Sequence, residues 1–211
     1  RIVSRGVGQD RDDPRNRIYR IRHDYRRADL RLDTAELLGQ DEGSATDIER
    51  VRAQYERDWL EWPWEWGAPY YDRDGDGVYD PEIDEPSFRS ADCTETPVRC
   101  ASRADQVAFF AFNDLDESTT SSMYGSNPIG IEVQATLWAY ARTGPLGDAL
   151  FKKFTILYKG TSETPDDARI EDFYLAQWSD PDIGSFSNDF AGVDTSLSLA
   201  YCYNADEEDV R

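Results

Sequence analysis

Hydrophobic and polar positions along this chain fall into three regimes, and each predicts a different kind of element. Between residues 46 and 60, Ile48, Val51, Tyr55 and Trp59 recur at helical spacing and share one face. Thr46-Asp47-Ile48-Glu49 reads as a capping box that opens this helix, which the pattern carries to about Leu60. The second regime is aromatic and runs from Trp59 to Tyr71, where Pro63 and Pro69 prevent the helix from continuing. Tryptophans are usually buried, so Trp59, Trp62, Trp64 and Trp66 are expected to cover one face of the domain and anchor the helix.

From about residue 106 the pattern changes to strands. Gln106–Asn113 is a run of apolar and aromatic residues. In Ile129–Arg142 the set Ile131, Val133, Ala135, Leu137 and Ala139 alternates with Glu132, Gln134, Thr136, Trp138 and Tyr140. Thr143-Gly144-Pro145-Leu146-Gly147 reads as a turn, and Leu150–Lys159, Ile170–Trp178 and Leu197–Tyr203 as further strands. Strands joined by Gly/Pro/Asp turns predict a mainly β protein, an antiparallel β-sandwich with an N-terminal helix and an extended arm.

The arm is defined by charge. Arginines crowd residues 1 to about 31, among them Arg1, Arg5, Arg11, Arg17 and Arg22, while the rest of the chain carries the acidic excess. Residues 1–43 are therefore read as an arginine-rich arm, and residues 44–211 as the helix, acidic loop and sandwich domain. Such opposite charge suits an arm lying on its own acidic body or on a neighbouring copy, and equally a solvated terminus. The net charge of −20 argues against nucleic acid and anionic membranes, and no apolar run is long enough to span a bilayer. The chain begins with Arg1 and shows no signal peptide, so it reads as a mature product or an excised part of a longer chain.

The most specific chemistry lies in Tyr71-Asp72-Arg73-Asp74-Gly75-Asp76-Gly77-Val78-Tyr79-Asp80. Carboxylates at alternate positions followed by glycine let one tight loop wrap a hard cation in oxygens. The expected calcium ligands are Asp72, Asp74 and Asp76, the Val78 carbonyl and Asp80, with Gly77 at the sharp turn. The helix-loop-helix calcium site places a bidentate Glu at the twelfth position, where this chain has Ile83; Asp84 stands next to it, and Pro81 blocks an immediate helix. The loop thus fits extracellular calcium modules better than an intracellular sensor. Asp180, Asp182, Asp189 and Asp194 form a looser cluster, read either as a second calcium site or as a polar loop with Asx turns.

Cys93 and Cys100 bracket a short loop and are expected to form a disulfide, with Cys202 a buried thiol; a bridge from Cys202 to one of the others stays open. Trp64, Trp66 and Tyr70 could instead stack on sugar rings. Histidine-based catalysis would have to use His23, the one histidine, which has no nucleophile motif nearby.

Several segments together resemble a family of large secreted or surface proteins of the Bacteroidota and related phyla, whose chains often end in a type IX secretion sorting domain. The resemblance rests on Asp58-Trp59-x-x-Trp62-Pro63, Gly67-Ala68-Pro69, the acidic loop, Asn113-Asp114-Leu115-Asp116, Gly130-Ile131-Glu132-Val133-Gln134, Trp178-Ser179-Asp180-Pro181-Asp182 and Tyr201-Cys202-Tyr203-Asn204. It covers roughly residues 45–205, implies an extracellular location, agrees with a calcium loop and supplies no reaction. The expected function is a secreted, calcium-stabilised structural, adhesive or assembly domain at the cell surface, including a subunit of an extracellular polymer joined through the basic arm and acidic body. The competing class is a carbohydrate-binding module or glycan-degrading enzyme.

Overall fold

The structure is a computed structural model. It describes residues 12–39, 43–87, 104–184 and 186–205, and the backbone of two short strands near the start. Arg1, Arg5, Arg11 and the expected Cys93–Cys100 bridge lie outside the described residues.

In chain order the elements are β1 (Val3–Ser4), β2 (Val7–Gly8), β3 (Tyr19–Arg22), α1 (Arg31–Leu38), α2 (Ala45–Leu60), β4 (Tyr70–Tyr71), β5 (Glu85–Pro86), β6 (Gln106–Asn113), α3 (Glu117–Tyr124), β7 (Ile131–Ala139), β8 (Leu150–Tyr158), β9 (Asp189–Asp194) and β10 (Leu199–Asn204). The protein is mostly β, and every strand pairing is antiparallel. The largest sheet has the order β3-β6-β7-β8; β4-β5 and β9-β10 form separate two-stranded ribbons. Two compact units divide after Ala168, so the boundary expected at 43/44 separates no bodies.

The expected arm is built into the first unit. β3 pairs with β6, placing Tyr19 opposite Phe109 and Ile21 opposite Val107. Tyr19, Ile21, Tyr25 and Leu30 are all buried. Charge patterning hid this because the apolar residues of β3 alternate with Arg20 and Arg22, so the segment reads as basic while one face is core. Several arginines of this segment are paired within the chain. Arg17 bonds Asp58 and Glu61, Arg22 bonds Asp24 and Asp33, and Arg15 bonds Asp13.

Helix α2 starts two residues earlier than the sequence motif suggested. Ser44 is the N-cap; its hydroxyl accepts from the Asp47 N–H, and the Asp47 carboxylate accepts from the Ser44 N–H. The reciprocal box therefore spans Ser44 and Asp47 rather than Thr46 and Glu49, because an aspartate at the third helical position reaches back as a glutamate does. Val51 and Tyr55 are buried on the predicted face, and Asp58 is fully buried at its end. Asp58 accepts from Arg17 Nε at 2.9 Å and from the Arg20 backbone N–H at 3.0 Å, tying β3 to the helix.

Register shows which face of the main sheet meets the core. Thr136 stands opposite Phe109 and Trp138 opposite Val107, so the Glu132, Gln134, Thr136 and Trp138 side of β7 shares a face with Tyr19, Ile21, Val107 and Phe109. That face packs on Trp62, Ala68 and Tyr79, with Trp59, Trp64 and Trp66 around them. The tryptophan segment thus covers the sheet, as expected. Glu132 is 1% exposed there and accepts from Lys159 Nζ at 2.8 Å, which compensates its burial. A second cluster, Tyr25, Leu30, Val51 and Tyr55, sits between α1 and α2, and Trp59 packs on both clusters.

In the second unit, β9 and β10 form a hairpin whose strand Leu199–Asn204 falls within the predicted one. Ile170–Trp178 is not a strand. Asp172 takes a left-handed conformation with φ of 54°, which breaks the extended run. Cys202 is half-buried with a free thiol.

Two stability predictions follow from these contacts. Asp58→Asn leaves Arg17 without its buried carboxylate and should cost about 3 kcal/mol in urea unfolding, with Glu61→Gln, the exposed second partner of Arg17, nearly silent. Ser44→Ala should cost about 1 kcal/mol at neutral pH. The Ser44 hydroxyl and backbone N–H hold the Asp47 carboxyl below its ordinary range. The cap therefore stabilises fully above the unfolded carboxyl's pKa and loses that contribution as pH falls through the lowered folded value, so the mutant and wild-type curves should converge in acid.

Candidate metal centre

The acidic loop is closed at its base by β4 and β5, which pair Tyr70 with Pro86 and Tyr71 with Glu85. Within it, oxygens of Asp72, Asp74 and Asp84 all lie within 4.8 Å of one another, a spacing at which one ion could touch all three. Among the described residues this is the one such group of acidic, histidine or cysteine side chains.

The loop's backbone positions these carboxylates. Asp72 accepts from the N–H groups of Gly75 at 2.6 Å and Gly77 at 2.9 Å. Gly75 and Gly77 both have φ near +80°, a conformation that disfavours any side chain, which is why glycine punctuates the aspartates. Asp84 is 3% exposed and acts as a clasp: one oxygen accepts from the Arg73 N–H and the other from the Asp80 N–H, each at 2.8 Å. The N–H bonds from Gly77 and Gly75 lower the pKa of Asp72. That of Asp74 is raised by desolvation and by repulsion from Asp76, Asp84 and Asp72. Crowded carboxylates of this kind are a repulsive arrangement that a divalent cation would relieve.

The expected ligand set divides. Asp72, Asp74 and Asp84 converge, while Asp76 accepts from the Val78 N–H and Asp80 from the Glu82 N–H, so both carboxylates serve their own turns. Asp84, outside the Asp72–Asp80 run, completes the group in place of the later aspartates of the run.

The second expected cluster does not assemble. Asp189 and Asp194 stand at opposite ends of β9, five residues apart, which is about 17 Å at strand rise and too far for one ion. Asp194 instead caps the hairpin turn, accepting from the Ser196 and Leu197 N–H groups and the Ser196 hydroxyl; the Ser196 bond leads in holding its pKa down. Asp189 accepts from the Ile183 N–H. Asp180 and Asp182 are exposed and belong to no convergent group.

The loop is fastened to the core by aromatic polar groups that sequence reasoning did not assign. Trp59 Nε1 donates to the Pro81 carbonyl at 3.3 Å, and the Tyr79 hydroxyl donates to the Trp59 carbonyl at 2.7 Å. Trp62 Nε1 donates to the Pro69 carbonyl at 2.9 Å. The His23 side chain is 4% exposed and stands edge-on to Trp59, with Nδ1 3.0 Å from Glu85 Oε1. The Pro69 carbonyl also accepts from the Ser87 N–H at 3.1 Å, so Trp62 joins a carbonyl that the β4–β5 ribbon already uses.

Trp64 and Trp66 occupy a 3₁₀ turn, Trp64–Trp66, and are half-buried. Tyr70 packs edge-on against Trp64 and Tyr79 and is not part of the groove that the two tryptophans line.

No family model, curated protein or solved structure matches this chain.

Asp84→Asn should cost about 1–3 kcal/mol even in chelator, because the amide nitrogen would face one of two N–H donors that now have an acceptor. Trp59→Phe keeps most of the packing and removes one donor, so it should cost about 1 kcal/mol in the same urea assay.

Proposed function

We propose that the protein is a secreted, calcium-stabilised structural or adhesive domain of the cell surface. The observation that carries this reading is the convergence of Asp72, Asp74 and Asp84 in a loop anchored to the core. Oxygen-only donors suit a hard divalent cation, and an adaptable loop suits calcium better than the stricter octahedron of magnesium. Extracellular calcium is abundant enough to fill even a weak site of this type. The resemblance of several sequence segments to type IX-associated surface proteins points to the same location. No helix among the described residues is long and apolar enough to cross a membrane.

The sandwich reading belongs to the same proposal. The second face of the main sheet carries Phe110, Phe112, Val133, Leu137, Phe154 and Ile156, and Phe112 and Phe154 remain 45% and 41% exposed. A further β-layer over these side chains would complete an antiparallel sandwich. An assembly role would draw on the acidic body, since Arg15, Arg17, Arg22 and Arg31 already bond carboxylates of their own chain.

The test is thermal unfolding at fixed ionic strength with calcium and then with chelator. A site with a dissociation constant near about 10 μM should add about 3 kcal/mol at about 1 mM calcium. Asp74→Ala should abolish that gain while changing the chelator curve little, because Asp74 makes one weak loop bond at 3.4 Å. An unchanged melting temperature on adding calcium would overturn the cation reading.

A further inference from the structure

The half-buried tryptophans border a groove that the calcium loop does not account for. It has a volume of about 580 Å³, within the range of small-ligand sites, and lies beside the end of α2. Trp62 and Tyr19 contribute buried aromatic surface, and Trp64 and Trp66 stand on its edge. The buried indole of Trp62 has an acceptor at Pro69. The indole N–H groups of Trp64 and Trp66 have no hydrogen-bond partner among the described residues, although both rings are held by core contacts.

The charges of the groove narrow its ligand. Arg15 is bonded to Asp13, and Arg17 to both Asp58 and Glu61. That leaves the exposed Arg57 and Glu65, one cation and one anion, without an ion pair among the described residues. An anionic ligand would meet little uncompensated positive charge here, on a chain whose net charge is −20. A proline-rich peptide would offer carbonyls to the indole N–H groups and Arg57. It has no N–H at its prolines to satisfy Glu65. Sugar hydroxyls both donate and accept, and the C–H faces of a pyranose suit an aromatic wall.

We infer that this groove is a binding site for a neutral oligosaccharide. The indoles of Trp64 and Trp66 form its apolar wall and supply two N–H donors; Arg57 donates to, and Glu65 accepts from, ring hydroxyls. The Arg15 guanidinium lies over the Trp66 ring at 6.0 Å and its side chain is 63% exposed, so it is a cover that a sugar can displace. The site does not depend on a bound cation.

The test screens the whole chain on an array of neutral hexose, pentose and N-acetylhexosamine oligosaccharides. Hits are then titrated by intrinsic tryptophan fluorescence, with polygalacturonate and polyproline alongside. A neutral oligosaccharide should shift the emission. Trp64→Ala should weaken its binding by at least about tenfold. Because Trp64 also touches the core, Arg57→Ala and Glu65→Gln are the deciding variants: both positions are exposed, and each should weaken binding by about fivefold with the melting temperature unchanged. The inference is overturned if no neutral sugar binds, if only polygalacturonate or polyproline binds, or if a neutral sugar binds the Arg57 and Glu65 variants as tightly as wild type. Titrations in calcium and in chelator separate the two readings. Sugar binding without a calcium effect on melting sinks the cation alone, and a calcium effect without sugar binding sinks the groove alone.

Discussion

The indole of Trp59 lies between the two buried clusters, and both its ring nitrogen and its backbone carbonyl hold the acidic loop. Each contact is ordinary, but together they join elements that have no ladder in common. The last turn of α2 fixes the residue, Tyr25 and His23 pack against its ring, and Tyr79 reaches it from the far side of the loop. Asp58, next to it in sequence, performs the polar half of the same task by binding β3. One end of one helix therefore sets where the first strand of the sheet and the base of the acidic loop can lie.

This arrangement explains how a strongly acidic chain tolerates a crowded group of carboxylates. Asp72 and Asp84 each accept two backbone N–H groups, so their negative charge meets oriented dipoles. Asp74 makes the fewest such bonds and feels repulsion from its neighbours. The loop is thus preorganised by backbone bonds and left with an unbalanced charge on a carboxylate group that could hold a metal ion.

The same anchoring has a consequence for the tryptophans that follow. Trp59 and Trp62 find carbonyl partners, whereas the N–H groups of Trp64 and Trp66, on a short 3₁₀ turn beside a groove, have no hydrogen-bond partner among the described residues. Neighbouring tryptophans of one segment, all packed on the same core, thus differ in whether the indole nitrogen reaches a backbone carbonyl.

The sequence by itself determined the elements whose cause is local. Period-two alternation placed β7, apolar runs bounded by turn residues placed β6 and β8, helical spacing placed α2, and the Asp/Gly run marked the loop, because side-chain period, capping chemistry and positive-φ turns act over a few residues. Only the tertiary structure decided which carboxylates converge. Asp84 joins Asp72 and Asp74 across the closed base of the loop, while Asp189 and Asp194 are held apart by the rigid length of β9. It also decided that the arginine-rich segment supplies a core strand, since Tyr19 and Ile21 become buried only when β6 is beside them. Charge and spacing are properties of a segment, but burial and convergence are set by partners distant in the chain, and no local pattern encodes that distance.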